Sequence, residues 1–479
     1  MWRCIRSCST LLHAALERPQ SALALHSTCG AVCRTSSPTA TRRATVAATR
    51  SLSVSALASS AAAPTPAPAT PPRAMHPSFA TIPGIPSTLL HHLTLIAPGT
   101  LTSTDESSKP VIVPLSHTSA AAAGRRRILR ISGPEAADVV QNLTANDITI
   151  TPHPVVFTAM LNHLGRVLAD AFVFTFPPAT KANSITSETE FLLDVDQETS
   201  VQLIEALQPF VRLADVDLDT NVAEWQLVQV FTPPAWSASQ TIDWLHQVQN
   251  TTSSDASAKA RAHVLGGWDP RLVRPQNYLD TQIDQVGSSM GLRLLLSASH
   301  PLVADSARWA TLGRLGSLGE YDDRRYALGL AEGVSGFRFA TSFPLESNFE
   351  RLNGVHFNKG CYLGQELTHR SHSRGVTRKR ILPFVTSTGA PLPSDVVGAD
   401  LLGPDSSKSI GVVRSIHHGK GLALLRLDSV IPSNVDEVCG TVLPSLRIAS
   451  HPDISVQPFL PAWWPWRAAR GGDGSVDSS

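Results

Sequence analysis

The chain shows its first clear strand period in "RRRILRISG" (125–133), where Ile128, Arg130 and Ser132 alternate with Leu129 and Ile131. "SKPVIVPLSHTS" (108–119) before it also reads as a strand. The period then changes. "SGPEAADVVQNLTAND" (132–147) predicts a helix, with Ser132 as cap, Pro134 in the first turn, Glu135 three residues after the cap, and an apolar face of Val139, Val140 and Leu143. "VVFTAMLN" and "RVLADAFVFTF" predict a hairpin-like pair around "HLG" (163–165). "EFLLDVD" (190–196) is another strand, followed by an acid-started helix through Ile204 and Leu207 and a strand in "VRLADVDLD". This order indicates an α+β fold and not a doubly wound sheet.

Further on, the patterning weakens and then shortens. Residues 232–262 are rich in Ser, Thr, Gln and Ala and read as an insertion, with "NTTSSDASAKARA" as a mobile loop. From Ile381 the chain turns to short strands, "ILPFVTS", "SIGVVRSI" and "GLALLRLD", which predict a small β-barrel or sandwich. The tail 461–479 ends in a polar, disordered stretch. Its Trp463, Trp464 and Trp466 pack on the barrel or meet a partner, packing being the blander reading.

Composition changes the picture at the N-terminus. The 479 residues suggest two or three domains, and 42% apolar against 16% charged residues allow a sizeable core. A net charge of +1 offers no basic surface for nucleic acid. No apolar run reaches the roughly 18 residues of a membrane span. Yet residues 1–80 hold eight arginines, one acid (Glu17) and no lysine. Arg-rich, Ser-rich and acid-poor composition is that of a mitochondrial transit peptide, and "MWRCIRSCSTLLHAAL" can form its amphipathic helix. A secretory signal fits less well, because arginines interrupt the apolar stretch. "AAAPTPAPATPPRAMHP" cannot hold a helix or a ladder. Residues 1–75 are therefore read as presequence and linker, cleaved between Arg50 and Met75. Cys4, Cys8, Cys29 and Cys33 leave with it, so a disulfide framework is not expected.

Two cysteines then remain, Cys361 and Cys439. Cys361 sits in "NKGCYLGQE" (358–366), beside Lys359 and between Gly360 and Gly364, which let a ligand approach the backbone. "GQELTHRSHSR" can start a helix just after it, and free N–H groups there favour a thiolate. Glu366 and Arg370 are spaced for a surface pair. Arg370, His372, Arg374, Arg378, Lys379 and Arg380 form a basic run suited to an anion or an acidic partner. The alternative is that Cys361 is a small buried apolar residue and the basic run a solvated turn.

"KGCYLGQE" resembles the signature of the YgfZ branch of the aminomethyltransferase-like (GcvT-like) family. The resemblance extends through "FPLESNFERLNGVHFNKGCYLGQELTHRSHSRGVTRKRILPF" (343–384), "ILRISGPEAADVVQNLTANDI", "MLNHLGRVLADAFVF" and "GVVRSIHHGKGLALLRLD" (411–428). It implies a GcvT-like cloverleaf of two α+β subdomains over 84–380, interrupted by 232–262, with a C-terminal β-barrel over 381–460. It also implies tetrahydrofolate binding in a central cavity. With the presequence, it implies a matrix protein that acts with A-type scaffold proteins to mature [4Fe–4S] clusters for aconitase, lipoyl synthase and radical enzymes. The key thiol maps to Cys361, with Lys359, Gly360, Tyr362, Gly364, Gln365 and Glu366 as its motif. Asp170, Asn146, Glu366 and Glu346 are candidates for the pterin, and Arg370 and Arg374 for the glutamate tail; a cap or surface pair is the structural reading of each acid.

Two features limit the chemistry. The transferases of the family use an Asp–Asp pair where this chain has Ala169 and Asp170, which disfavours one-carbon transfer. A cluster needs four ligands, most often thiolates, so this chain can only share one, through Cys361, with a partner. Cys439 reads as a packed barrel residue, and none of the seventeen histidines shows a metal spacing. An assembly factor, a one-carbon transferase and a folate-binding protein without chemistry remain as readings.

Overall fold

The computed structural model describes residues 108–116, 124–149, 155–176, 189–250, 263–273, 287–404, 406–431 and 440–464. The presequence, residues 251–262 of the expected loop, Cys439 and Trp466 lie outside them. In chain order the elements begin with β1 (Val111–Pro114), β2 (Arg126–Ser132), α1 (Ala136–Leu143), β3 (Val155–Leu161), β4 (Val167–Phe176) and β5 (Glu190–Asp196). Next come α2 (Ser200–Val211), β6 (Asp217–Asp219), β7 (Trp225–Phe231), α3 (Ala238–Asn250), β8 (Val264–Trp268), β9 (Leu292–Ser297) and β10 (Arg314–Leu315). The longer helices that follow are α4 (Leu318–Ala327) and α5 (Gln365–Arg374).

These strands form two five-stranded sheets, β10-β1-β7-β9-β8 and β3-β4-β5-β2-β6. The sheets face each other. Phe157, Phe172, Phe174 and Leu192 of one share a core with Leu227, Leu265 and Leu295 of the other. The period of two sends the alternate residues outward. Ala169, Ala171, Val173 and Val195 pack under Ala136, Val140 and Leu143 of α1 and Leu203 and Leu207 of α2. Val228, Val230, Leu292, Leu294 and Leu296 pack under Trp244 and Val248 of α3.

The expected hairpin is present: β3 and β4 pair from Val155↔Phe174 to Leu161↔Val167. The predicted helix over 132–147 is shorter, spanning Ala136–Leu143. Ser132 is not its cap; it stays in β2, paired with Asp217. At the other end Thr144 bridges Met160. Sheet pairing with distant segments takes both ends that local capping chemistry assigns to the helix. Within the expected insertion, Ala238–Asn250 forms α3 and buries Thr241, Trp244 and Val248 on one side.

The C-terminal strands are β11 (Lys379–Thr386), β12 (Asp400–Leu402), β13 (Ser409–His417), β14 (Lys420–Arg426), β15 (Leu446–Ile448) and β16 (His451–Pro458). They close as a barrel in the order β11-β14-β13-β12-β15-β16. Leu382, Phe384, Leu401, Val413, Leu425, Ile448 and Val456 fill it. Trp464 joins that core, and Trp463 donates its indole N–H to the Leu328 carbonyl at 2.7 Å. Both tryptophans thus pack. Among the described residues no helix is long and apolar enough to cross a membrane.

Candidate functional site

The cysteine loop is held by its neighbours on both sides of the thiol. Lys359 is buried, and its Nζ donates to the carbonyls of Gln141, Thr144 and Asn146 at 2.7, 2.7 and 2.8 Å. These carbonyls are at and just beyond the C-terminal end of α1, where backbone acceptors lack helical partners. Burial pulls the Lys359 pKa down to about 7, with Asp147 acting in the opposite direction. Leu363 N–H donates to the Asn142 carbonyl at 2.9 Å. Gly364 takes φ +79° and caps α5, and its backbone lies against the β3–β4 turn. Tyr362 is buried, which pushes its phenol up to about 12.

Between these anchors Cys361 is exposed and free, and it is not the buried apolar residue that the sequence left open. Gly360 beside it is open, with nothing within 4 Å of a side chain placed there. The thiol is three residues before the α5 cap. On α5, Glu366, His369, Arg370 and Arg374 are exposed and line an open cleft of ≈ 460 Å³ with Gln365 and Ser373. The expected pair between Glu366 and Arg370 is not among the ion pairs of the described residues. His372 stacks on Phe357 with ring centroids 3.6 Å apart, so it serves the packing of α5.

Of the other candidates, Asn146 adjoins the cysteine loop through Lys359, and Glu346 and Asp170 are not among the residues that line the α5 cleft. Asn146 donates to the carbonyls of Phe157 and Asn353 at 2.8 and 2.6 Å and accepts from Asp147 N–H at 2.8 Å. Its side chain ties α1, β3 and the segment before the cysteine loop together. Glu346 is half-buried, and burial raises its pKa against the pull of Lys379, Arg414 and Arg166. Asp170 is buried between the sheets. Its Oδ1 accepts from Gly333 N–H and its Oδ2 from Arg126, both at 3.0 Å. Burial pushes its carboxyl up, while Arg126 pulls it down. Ala169 faces the opposite way, into the apolar layer under α1 and α2.

Asp170 belongs to a charged centre that the sequence reading did not identify. Asp194 on β5 accepts from Arg126 at 2.6 Å and from Arg293 on β9 at 2.7 Å, joining the two sheets. Arg271 donates to Asp269 and, at 2.7 Å, to Glu332, which also accepts from the Tyr321 hydroxyl at 2.5 Å. Burial works to raise the Glu332 pKa, but Arg271, Arg126, Arg293 and Arg325 hold it well below the usual carboxylate range. Arg126, Asp194, Arg293 and Tyr321 have essentially no exposed surface, so no water-sized void opens beside them. Glu332 Oε1 accepts no hydrogen bond. The available signal was a charge at an apolar-face position: Asp170 shares its strand face with Phe172 and Phe174, and Arg293 shares its face with Leu295.

The family described as "CAF17, C-terminal beta-barrel domain" matches residues 378–466. The "Iron-sulfur cluster assembly factor IBA57 homolog, mitochondrial" of Mycosarcoma maydis is 28% identical over 382 residues, covering 71% of this chain and 83% of its own. The mouse (Mus musculus) "Iron-sulfur cluster assembly factor IBA57, mitochondrial" is 28% identical over 358 residues, covering 72% and 84%. Its human (Homo sapiens) counterpart is 28% identical over 352 residues, covering 71% and 83%. The crystal structure of glycine cleavage system aminomethyltransferase T from Bartonella henselae superposes with a TM-score of 0.50 at 13% identity, covering 79% of this chain and 98% of that one. That likeness concerns the fold alone.

These findings correct the resemblance to the YgfZ branch. The relatives carry the IBA57 name, and that is a distinct branch of GcvT-like assembly factors. Lys359 and Gly364 secure the loop to the scaffold in this chain. The expected fold class stands: an α+β GcvT-like architecture with a C-terminal six-stranded barrel.

Proposed function

We propose that this chain is a mitochondrial iron–sulfur cluster assembly factor, with Cys361 as its ligand to a cluster shared with a partner. The names of the relatives support the role and the mitochondrial location, in agreement with the expected presequence. The observation that carries the Cys361 reading is the exposed free thiol on a loop whose flanking residues are buried or pinned. A cluster needs about four protein ligands, and Cys361 is the one cysteine among the described residues. With Cys4, Cys8, Cys29 and Cys33 in the expected presequence and Cys439 read as a packed barrel residue, we assign the remaining ligands to a partner of the A-type scaffold class, and the cluster is cargo. Lys359, Gly360, Tyr362, Gly364 and Gln365 hold or clear the loop; Glu366 and Arg370 face the partner. Its recipients are the [4Fe–4S] proteins of the matrix, such as aconitase, lipoyl synthase and radical enzymes.

The test is anaerobic reconstitution of the full-length chain with a matrix A-type scaffold, iron and sulfide, followed by size exclusion and visible absorption. A coloured heterocomplex with wild type that is absent with Cys361→Ala supports the shared ligand. Equal complexes with both proteins exclude it.

Tetrahydrofolate binding is a second property we propose, at the charged centre. Its support is Glu332 Oε1, a buried carboxylate oxygen that accepts no hydrogen bond and has Arg126 Nη1 3.9 Å away, which suits a paired N–H edge such as that of a pterin. Bound folate would supply a one-carbon or redox carrier there, and Glu332 would orient its ring, since both Asp170 oxygens are already engaged. Entry requires Arg126, Arg293 and Tyr321 to part, since they fill the centre. Fluorescence titration should show saturable tetrahydrofolate binding that Glu332→Gln weakens; a wild-type chain that does not saturate would exclude it. One-carbon transfer is not favoured, because both Asp170 oxygens are engaged and Ala169 faces the apolar layer.

A further inference from the structure

We propose that Asp323, His417 and His418 form a binding site for a divalent transition-metal ion where α4 meets the β13–β14 turn. The site is remote in sequence from Cys361 and independent of the cluster reading. His417 Nε2 lies 3.5 Å, and His418 Nδ1 3.7 Å, from Asp323 Oδ1. All three ligand atoms lie within 4.8 Å of one another. Two ligands on a tetrahedral ion, each at about 2.0–2.1 Å, are about 3.3 Å apart. Closing the two His–Asp separations onto an ion therefore takes shifts of a few tenths of an ångström, and the exposed His418 ring turns to bring the third separation, within 4.8 Å, to the same value. Two imidazoles and one carboxylate suit Zn²⁺, Co²⁺, Ni²⁺ or Fe²⁺ and not the hard, oxygen-seeking Mg²⁺ or Ca²⁺. Three protein ligands leave a coordination position to water, the form of an exchangeable site and not of a closed structural one.

The local structure is arranged around this grouping. His418 has φ +53°, a left-handed backbone that disfavours a non-glycine residue. That conformation sets its ring 4.1 Å from the ring of His417. His417 is steadied on its other side by Tyr326, with centroids 5.6 Å apart. His417 Nε2 is buried and has no hydrogen-bond partner. Asp322 is engaged by Arg125 and Arg325, so Asp323 is the carboxylate available to the turn. Lys420 Nζ donates to the same Asp323 Oδ1 at 2.9 Å. It aims the carboxylate at the imidazoles, and its positive charge opposes a bound cation. The affinity is therefore modest in the wild type and rises when that charge is removed.

The experiment uses the full-length chain stripped of metal and titrated anaerobically with Co²⁺, read by visible d–d absorption and then by Zn²⁺ displacement. Difference spectra against His418→Gly subtract any binding by thiols. This variant removes one ligand and suits the positive φ, so it keeps the fold; an unchanged thermal midpoint without metal verifies that. Binding about tenfold or more weaker in His418→Gly and in Asp323→Asn is expected, with tighter binding in Lys420→Met. Identical Co²⁺ binding by wild type and His418→Gly, or no saturation of wild type below millimolar metal, overturns the proposal.

Discussion

Gly165 and Gly364 meet backbone to backbone. A Cβ on Gly165 would lie 2.9 Å from the Gly364 carbonyl, and one on Gly364 would lie 3.0 Å from Gly165 Cα and 2.4 Å from the Asn162 carbonyl. Both residues have positive φ, +72° and +79°. The turn of the β3–β4 hairpin thus seats directly against the start of α5, and Cys361 is held three residues away from that contact.

Gly364→Ala should therefore cost about 1–3 kcal/mol, from the disfavoured φ and from the clash with the Asn162 carbonyl. Urea unfolding measures the loss. Gly360→Ala is the control, since its side is open; it should change the midpoint little. Equal effects of the two substitutions would contradict the contact.

Lys359→Met leaves three carbonyls without their donor. The expected destabilisation is about 1–3 kcal/mol for each that water cannot reach. A pH signature accompanies it. The folded Lys359 loses its proton above about 7, whereas an unfolded lysine keeps its proton to about 10.4. Between those values the unfolded chain binds more protons, so this residue makes stability rise with pH. Comparing urea midpoints at pH 6.5 and pH 9 (roughly the two sides of that titration), wild type should gain relative to Lys359→Met. No difference in slope would remove the buried-amine account.

Cys361→Ala should leave stability within about 0.5 kcal/mol, since the side chain is exposed and unpaired. Thermal melting should not distinguish the variant from wild type, while the reconstituted heterocomplex should be lost. A variant that melts much earlier would show instead that the thiol is part of the packing.

Asp194→Asn removes the charge that joins two guanidiniums across the sheets. Breaking one side of a buried ion pair costs about 3–5 kcal/mol. Calorimetry should show a large drop in the unfolding midpoint. Glu190→Gln, at a part-exposed pair with Arg130, should cost less. Similar losses at both positions would argue against the centre as the main electrostatic junction of the sheets.

Local pattern was enough for what depends on neighbours in the chain. The alternation in β2, the apolar runs of β3 and β4 around Gly165, and the short strands after Ile381 each carry their own period, because strand faces repeat every two residues. The loop around Cys361 was legible as a loop ending at a helix, because Gly364 supplies the cap. Other features join residues far apart, and no local period specifies them. Lys359 meets the end of α1 more than two hundred positions earlier. Asp323 meets the β13–β14 turn, and Arg293 meets Asp194 across two sheets. A charged residue on an apolar face signals that a partner is needed but not which one. Only the packing of the sheets and the closure of the barrel choose the partner, since the cost of burying a charge is met by whichever opposite charge the fold brings within hydrogen-bond reach.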